Sequence, residues 1–237
     1  MKTIDRPVER PGIPTFTLKL IMAVTGIIFV GFVFVHMIGN LKVYGGADSL
    51  NAYATWLREV GYPLVPHEGV LWVLRVVLLA SVIGHVGASL TLWARGRRAR
   101  GPHRRTRMKG LTAFGARTML VGGILILAFV IVHVLDLTVG AVTAPQNYTP
   151  PAPDGTIQAY ANLVASFSRP WMAAFYSAIM VVIALHILHG WRTVLQDVGV
   201  TGSRLRVAWV SLGAVIAVAV VLGNALIPVF VQLGVIS

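Results

Sequence analysis

The chain alternates long apolar runs with short polar connections. Predominantly apolar stretches cover about residues 16–41, 70–94, 118–142, 171–192 and 205–233. Each matches or exceeds the roughly 20 residues a helix needs to cross a bilayer core of about 30 Å. Within lipid the backbone must satisfy its own hydrogen bonds, so runs of this length predict helices. The expected fold is all-α, a polytopic membrane protein whose five transmembrane helices form one domain over residues 1–237. In the first long connection, residues 42–69, the spacing of Tyr53, Trp56 and Leu57 suits a short helix lying at the lipid–water interface. The second, residues 143–170, is proline-rich (APQNYTPPAPDG) and reads as a loop with one short helix over 158–167. Residues 1–14, with three prolines and mixed charges, are too polar for a signal peptide, so the first span is expected to be retained.

Composition sharpens this picture. With 56% hydrophobic and 12% charged residues and a mean hydropathy of +0.77, the chain has too little polar surface for a water-soluble domain. It contains no cysteine, which excludes disulfides, iron–sulfur ligation and thiolate chemistry within it. The net charge of +12 would suit nucleic acid, but its distribution argues against that partner. Basic residues crowd the start of span one, the loop RGRRARGPHRRTRMKG between spans two and three, and the connection between spans four and five. Only Lys42, Arg58, Arg75 and Arg169 lie at the opposite ends. This is the positive-inside pattern, which places the N-terminus in the cytoplasm and the C-terminus outside. The basic loop reads as a topology signal beside anionic lipid, with a second reading as an electropositive platform for haem propionates or a cytoplasmic partner; His103 within it is expected to be solvated.

Candidate chemistry lies with the histidines inside the apolar runs. An ionisable side chain at membrane depth is expensive and points to function. His36 and His133 fall in the outer halves of spans one and three, and His85 and His186 in the inner halves of spans two and four. Two imidazoles at each of two depths match the axial ligation of two haems. Other readings stay open. A single histidine serves equally as a helix-to-helix hydrogen bond, and a proton-coupled transporter would use histidines as relays. Zinc fits less well, since it takes three or four ligands at one depth. His189 follows His186 by three residues on nearly the same face, so only one of the two can ligate a given iron from that side. Gly31, Gly39, Gly84 and Gly87 lie near the histidines, where a macrocycle could approach the backbone. Span five has no histidine, no acid and no internal charge, and is expected to pack around the others.

The segments FVHMIGNLKVYGG, NAYATWLREVGYPLVP, IGHVGASL, IVHVLDLT and LHILHGWRTVLQDVG resemble those of the five-helix, two-haem cytochrome b membrane-anchor subunit of succinate:menaquinone oxidoreductases and fumarate reductases. They touch all four histidine-bearing spans. The family's fourth-helix histidine is followed four residues later by glycine, which selects His186 with Gly190 and leaves His189 as a neighbour of the site. The resemblance implies that His85 and His186 ligate a proximal haem b and His36 and His133 a distal one, with Gly39, Gly87 and Gly190 packing close. It implies electron transfer in a respiratory complex II from a cytoplasmic flavoprotein (FAD) subunit through an iron–sulfur subunit and the two haems to a quinone, menaquinone by the same token. The lipid bilayer completes the partners, with room for a small extra membrane subunit. The expected location is the cytoplasmic membrane of a prokaryote. Quinone-site candidates near the distal haem are Asp136, His67, Glu68 and Tyr44, none of them a firm catalytic residue. Some two-haem fumarate reductases have a glutamate two residues before the fourth-helix histidine; here it is Ala184, which implies electron transfer without a compensating proton path. The cytochrome b subunit of a hydrogenase or formate dehydrogenase is the competing redox reading.

Overall fold

The computed structural model describes residues 12–102, 111–142, 147–152, 155–200 and 202–237. Seven α-helices account for most of them, with no strand among the described residues: α1 (Thr15–Asn40), α2 (Gly46–Glu59), α3 (Gly69–Arg100), α4 (Leu111–His133), α5 (Ala159–Phe167), α6 (Pro170–Asp197) and α7 (Ser203–Gln232). Five of these, α1, α3, α4, α6 and α7, are long and apolar enough to cross a membrane. Residues 1–11 of the N-terminal arm and 103–110 of the basic loop, with His103, lie outside the described residues.

The helices and the hydropathy limits differ in instructive places. α3 continues six residues past the apolar run, through Arg95, Arg97, Arg98 and Arg100, because hydropathy marks where lipid ends while arginine and alanine remain good helix formers in water. Its 32 residues make a rod of about 48 Å, well beyond the bilayer core. Near the other end of the bundle α4 stops short of the predicted limit. After His133 the chain enters a π-helical turn, Val134–Thr138, and leaves it at Gly140, whose φ of 74° is open to glycine and whose missing Cβ makes room for the Tyr148 ring.

α6 is the helix around which the others are arranged. It packs along α7, α4 and α1, and α1 also packs along α3. Met172, Ala173, Tyr176, Ile179, Met180, Ile183, Ala184, Ile187, Trp191 and Leu195 of α6 are buried, whereas α3 contributes only Ser81 and Ala88. In lipid this contrast is permitted, because an apolar side chain facing acyl chains costs nothing and association depends on packing and polar contacts.

Polar contacts fasten the bundle at both ends. At the basic end Lys19 of α1 pairs with Asp197 of α6 at 2.8 Å, and Arg95 of α3 donates to the Thr15 hydroxyl at 3.2 Å. There α6 and α7 exchange bonds: the Trp191 and Trp209 indoles stack 4.2 Å apart, and each N–H donates to the other's backbone carbonyl at 2.8 Å. Gly213 leaves the space that Trp191 fills. At the distal end Asn40 of α1 donates to Asn224 of α7 at 2.8 Å. Pro228 interrupts the α7 ladder, and Ser177 of α6 donates to the nearby Ala225 carbonyl at 3.1 Å.

Candidate haem-ligating histidine pairs

Four helices, α3, α1, α6 and α4, follow one another by contact, and histidines meet between helices that are not extensive packing neighbours. His36 of α1 faces His133 of α4 with ring centroids 5.9 Å apart and planes at 84°. His85 of α3 faces His186 of α6 at 6.4 Å and 53°. The α1–α4 and α3–α6 backbones make at most marginal contact, so the imidazoles reach across a gap.

Helix geometry separates the pairs into two levels. His85 and His186 each lie sixteen residues from the distal start of their helices, Gly69 and Pro170, or about 24 Å along the axis. His36 is four residues from the distal end of α1, and His133 is the last residue of α4. Tyr176, whose ring lies 5.9 Å from that of His133, is ten residues before His186 on α6, so the levels are about 15 Å apart.

The donor set fits a group that takes one nitrogen from each side. A metal–imidazole bond of about 2.0 Å, and about 1.1 Å more to the ring centre, doubled, predicts centroids about 6.2 Å apart. The observed 5.9 and 6.4 Å bracket that value. One ring of each pair also carries a buried orphan, since Nδ1 of His133 and Nδ1 of His186 have no hydrogen-bond partner. Leaving such a group unsatisfied costs about 1–3 kcal/mol, so neither of these histidines is explained as a helix-to-helix hydrogen bond through that nitrogen. Among the described residues no cluster of three or more His, Cys, Asp or Glu forms, which leaves zinc without a ligand set.

The walls of both levels are apolar or small. Phe32 stacks on His36 at 5.4 Å, Phe29 meets His85 edge-on at 5.7 Å, and Phe129 and Tyr176 flank His133. Glycines face the deeper pair: a Cβ at Gly26 would stand 3.7 Å from His85, and one at Gly123 3.6 Å from His186. Around Gly87 and Gly190 no neighbouring side chain approaches such a Cβ. Gly39 has a different reason from the expected one. The Tyr53 ring would be 2.6 Å from its Cβ, so this glycine admits α2 against α1 rather than a macrocycle. His189 sits against Gly115 of α4 and takes no part in the His85–His186 pairing.

The four quinone-site candidates do not converge. Asp136, in the π-helical turn, is fully buried: Arg169 donates to Oδ1 at 3.0 Å, and Ser166 and Tyr176 donate to Oδ2 at 2.6 and 3.1 Å. That carboxylate closes the α4–α5–α6 junction and offers no surface to a diffusing ligand. Glu68 adopts a left-handed backbone (φ 59°) at the start of α3 and is paired with Arg58 at 3.0 Å and Arg75 at 3.3 Å, so it secures the turn between α2 and α3. His67 stacks on Tyr62, and Tyr44 lies edge-on to Phe230. A distal cleft of about 150 Å³ is lined by none of the four, but by Arg58, Thr138, Tyr148 and Asn162 among others. Its polar groups serve the chain itself: Tyr148 donates to the Thr138 carbonyl at 2.7 Å, and the Asn162 amide brackets the Thr149 backbone. Sequence reading missed Thr25, whose hydroxyl is 2.9 Å from His85 Nδ1, and the Ser166–Arg169–Tyr176 cluster. A hydroxyl in mid-span was the only available sign of the first.

Fold and site together define a polytopic helical membrane protein with paired histidines at two depths. Over residues 94–226, more than half its length, the chain matches the succinate dehydrogenase/fumarate reductase transmembrane subunit family, and it belongs to that family. No curated protein and no solved structure matches it. Membership makes it a membrane subunit of an oxidoreductase complex, associated with that complex's other subunits. It sets aside the hydrogenase, formate dehydrogenase and transporter readings.

Proposed function

We propose that this chain is the two-haem cytochrome b anchor of its complex, with His85 and His186 holding the haem nearer the basic end and His36 and His133 the distal one. The observation that carries the reading is the pair of spacings, 5.9 and 6.4 Å, between imidazoles on helices that otherwise scarcely touch. Bound in these places, haem b supplies reversible one-electron carriage between the two levels. The chain's own residues do the rest. Imidazoles orient the groups, the Phe29, Phe32 and Phe129 walls keep water out, and α6 carries His186 at one level and sets Tyr176 against His133 at the other. With the N-terminus cytoplasmic, the basic end docks the iron–sulfur and flavoprotein subunits. Electrons from succinate then run to menaquinone at the distal end, or from menaquinol in the opposite direction. The membrane is the cytoplasmic membrane of a prokaryote.

The test is a haem count on the purified complex, as pyridine haemochrome per chain. The parent should hold two. His36→Ala, His85→Ala, His133→Ala and His186→Ala should each lose one or both, while His189→Ala keeps two. A parent with one haem or none, or loss on replacing His189 but not His186, would overturn the assignment.

A further inference from the structure

The deeper histidine pair is built asymmetrically. His186 Nδ1 is buried without a partner, whereas His85 Nδ1 lies 2.9 Å from Thr25 Oγ1. The other bond of the hydroxyl settles who donates. Thr25 Oγ1 is 2.6 Å from the Ile21 carbonyl one turn back, an oxygen that only accepts, so the single hydroxyl proton points there. His85 then meets the lone pairs of Oγ1 and, beside them, the Met22 carbonyl, both acceptors, so the ring must donate from Nδ1. A neutral imidazole with its proton on Nδ1 has a bare lone pair on Nε2, the form that binds a metal. Thr25 is buried, and its sequence neighbours Ala23, Val24, Gly26 and Ile27 carry no polar side chain. Gly26 beside it leaves the ring its space.

We propose that Thr25 is the positioning residue for the His85 ligand: it holds the ring proton on Nδ1 and sets the ring orientation, leaving Nε2 for iron. This rests on the two-haem reading above. A ligand that donates its far N–H is more electron-rich and favours ferric iron, so losing the acceptor raises the midpoint potential of that haem.

The experiment uses the intact complex carrying Thr25→Val or Thr25→Ser, with redox titration of the b-type absorption and low-spin paramagnetic resonance. Thr25→Val should raise one of two midpoints. At a fixed ambient potential the oxidised-to-reduced ratio of that haem should fall about fivefold, the worth of one ordinary hydrogen bond. The other midpoint should stay in place, and Thr25→Ser should restore the parent value. Loss of one haem from the valine but not the serine variant supports the same role. Unchanged midpoints and signals in Thr25→Val would mean that α1 carbonyls hold the ring as well as the hydroxyl does, and would overturn the proposal. So would a serine variant that behaves like valine. A parent complex without paired low-spin haems would instead end the two-haem reading, and this proposal with it.

Discussion

Replacing Arg169 with methionine removes the charged partner of a carboxylate that has no exposed surface. Asp136 Oδ1 and the Arg169 guanidinium are 3.0 Å apart. At an effective dielectric of about 20, two unit charges at that distance attract by about 5 kcal/mol. Some of this is lost to solvent, because the Arg169 side chain is 22% exposed, and some is offset because the variant no longer desolvates a guanidinium. A destabilisation of about 3 kcal/mol remains, at the lower edge of what breaking a buried pair costs. Ser166 and Tyr176 would still donate to Oδ2. Asp136→Asn should cost less, about 1–2 kcal/mol, since an amide oxygen keeps an acceptor and leaves no buried charge. The double variant should then be less damaged than the sum of the two, with a coupling of about 2 kcal/mol. The assay is denaturant unfolding of the detergent-solubilised complex, followed through a double-mutant cycle. Strict additivity would refute the claim that Arg169 is there to neutralise Asp136.

Trp191→Phe removes one indole N–H bond and part of the α6–α7 stack, so it should cost about 1–2 kcal/mol, read as a lower thermal midpoint with haem content unchanged. No acid of the described chain lies deep in a span, and the position two residues before His186 is the buried Ala184. Turnover between the two faces of reconstituted vesicles should therefore be uncompensated by protons through this subunit. Its rate should respond to an imposed membrane potential, and indifference to that potential would refute the expectation.

Length and apolarity of the runs determined the five long helices, because a backbone in lipid has only one economical way to satisfy itself within a single segment. The depths of the four histidines were readable for the same reason: one residue of helix is about 1.5 Å of membrane, so position along a run converts to height. Pairing by depth needed no knowledge of neighbours, and the tertiary arrangement brings His36 to His133 and His85 to His186. What a run cannot encode is azimuth and partner. Only the packing of α6 against α4, of α2 against α1 and of α1 against α3 shows His189 turned onto Gly115, Gly39 filled by Tyr53, and Thr25 of α1 under the ring of His85. Asp136 stands in the sequence as a quinone-site candidate because its partners Ser166, Arg169 and Tyr176 lie thirty to forty residues away. Burial of that charge is decided by the chain's return across the distal end, a contact that no local pattern of hydrophobic and polar residues records.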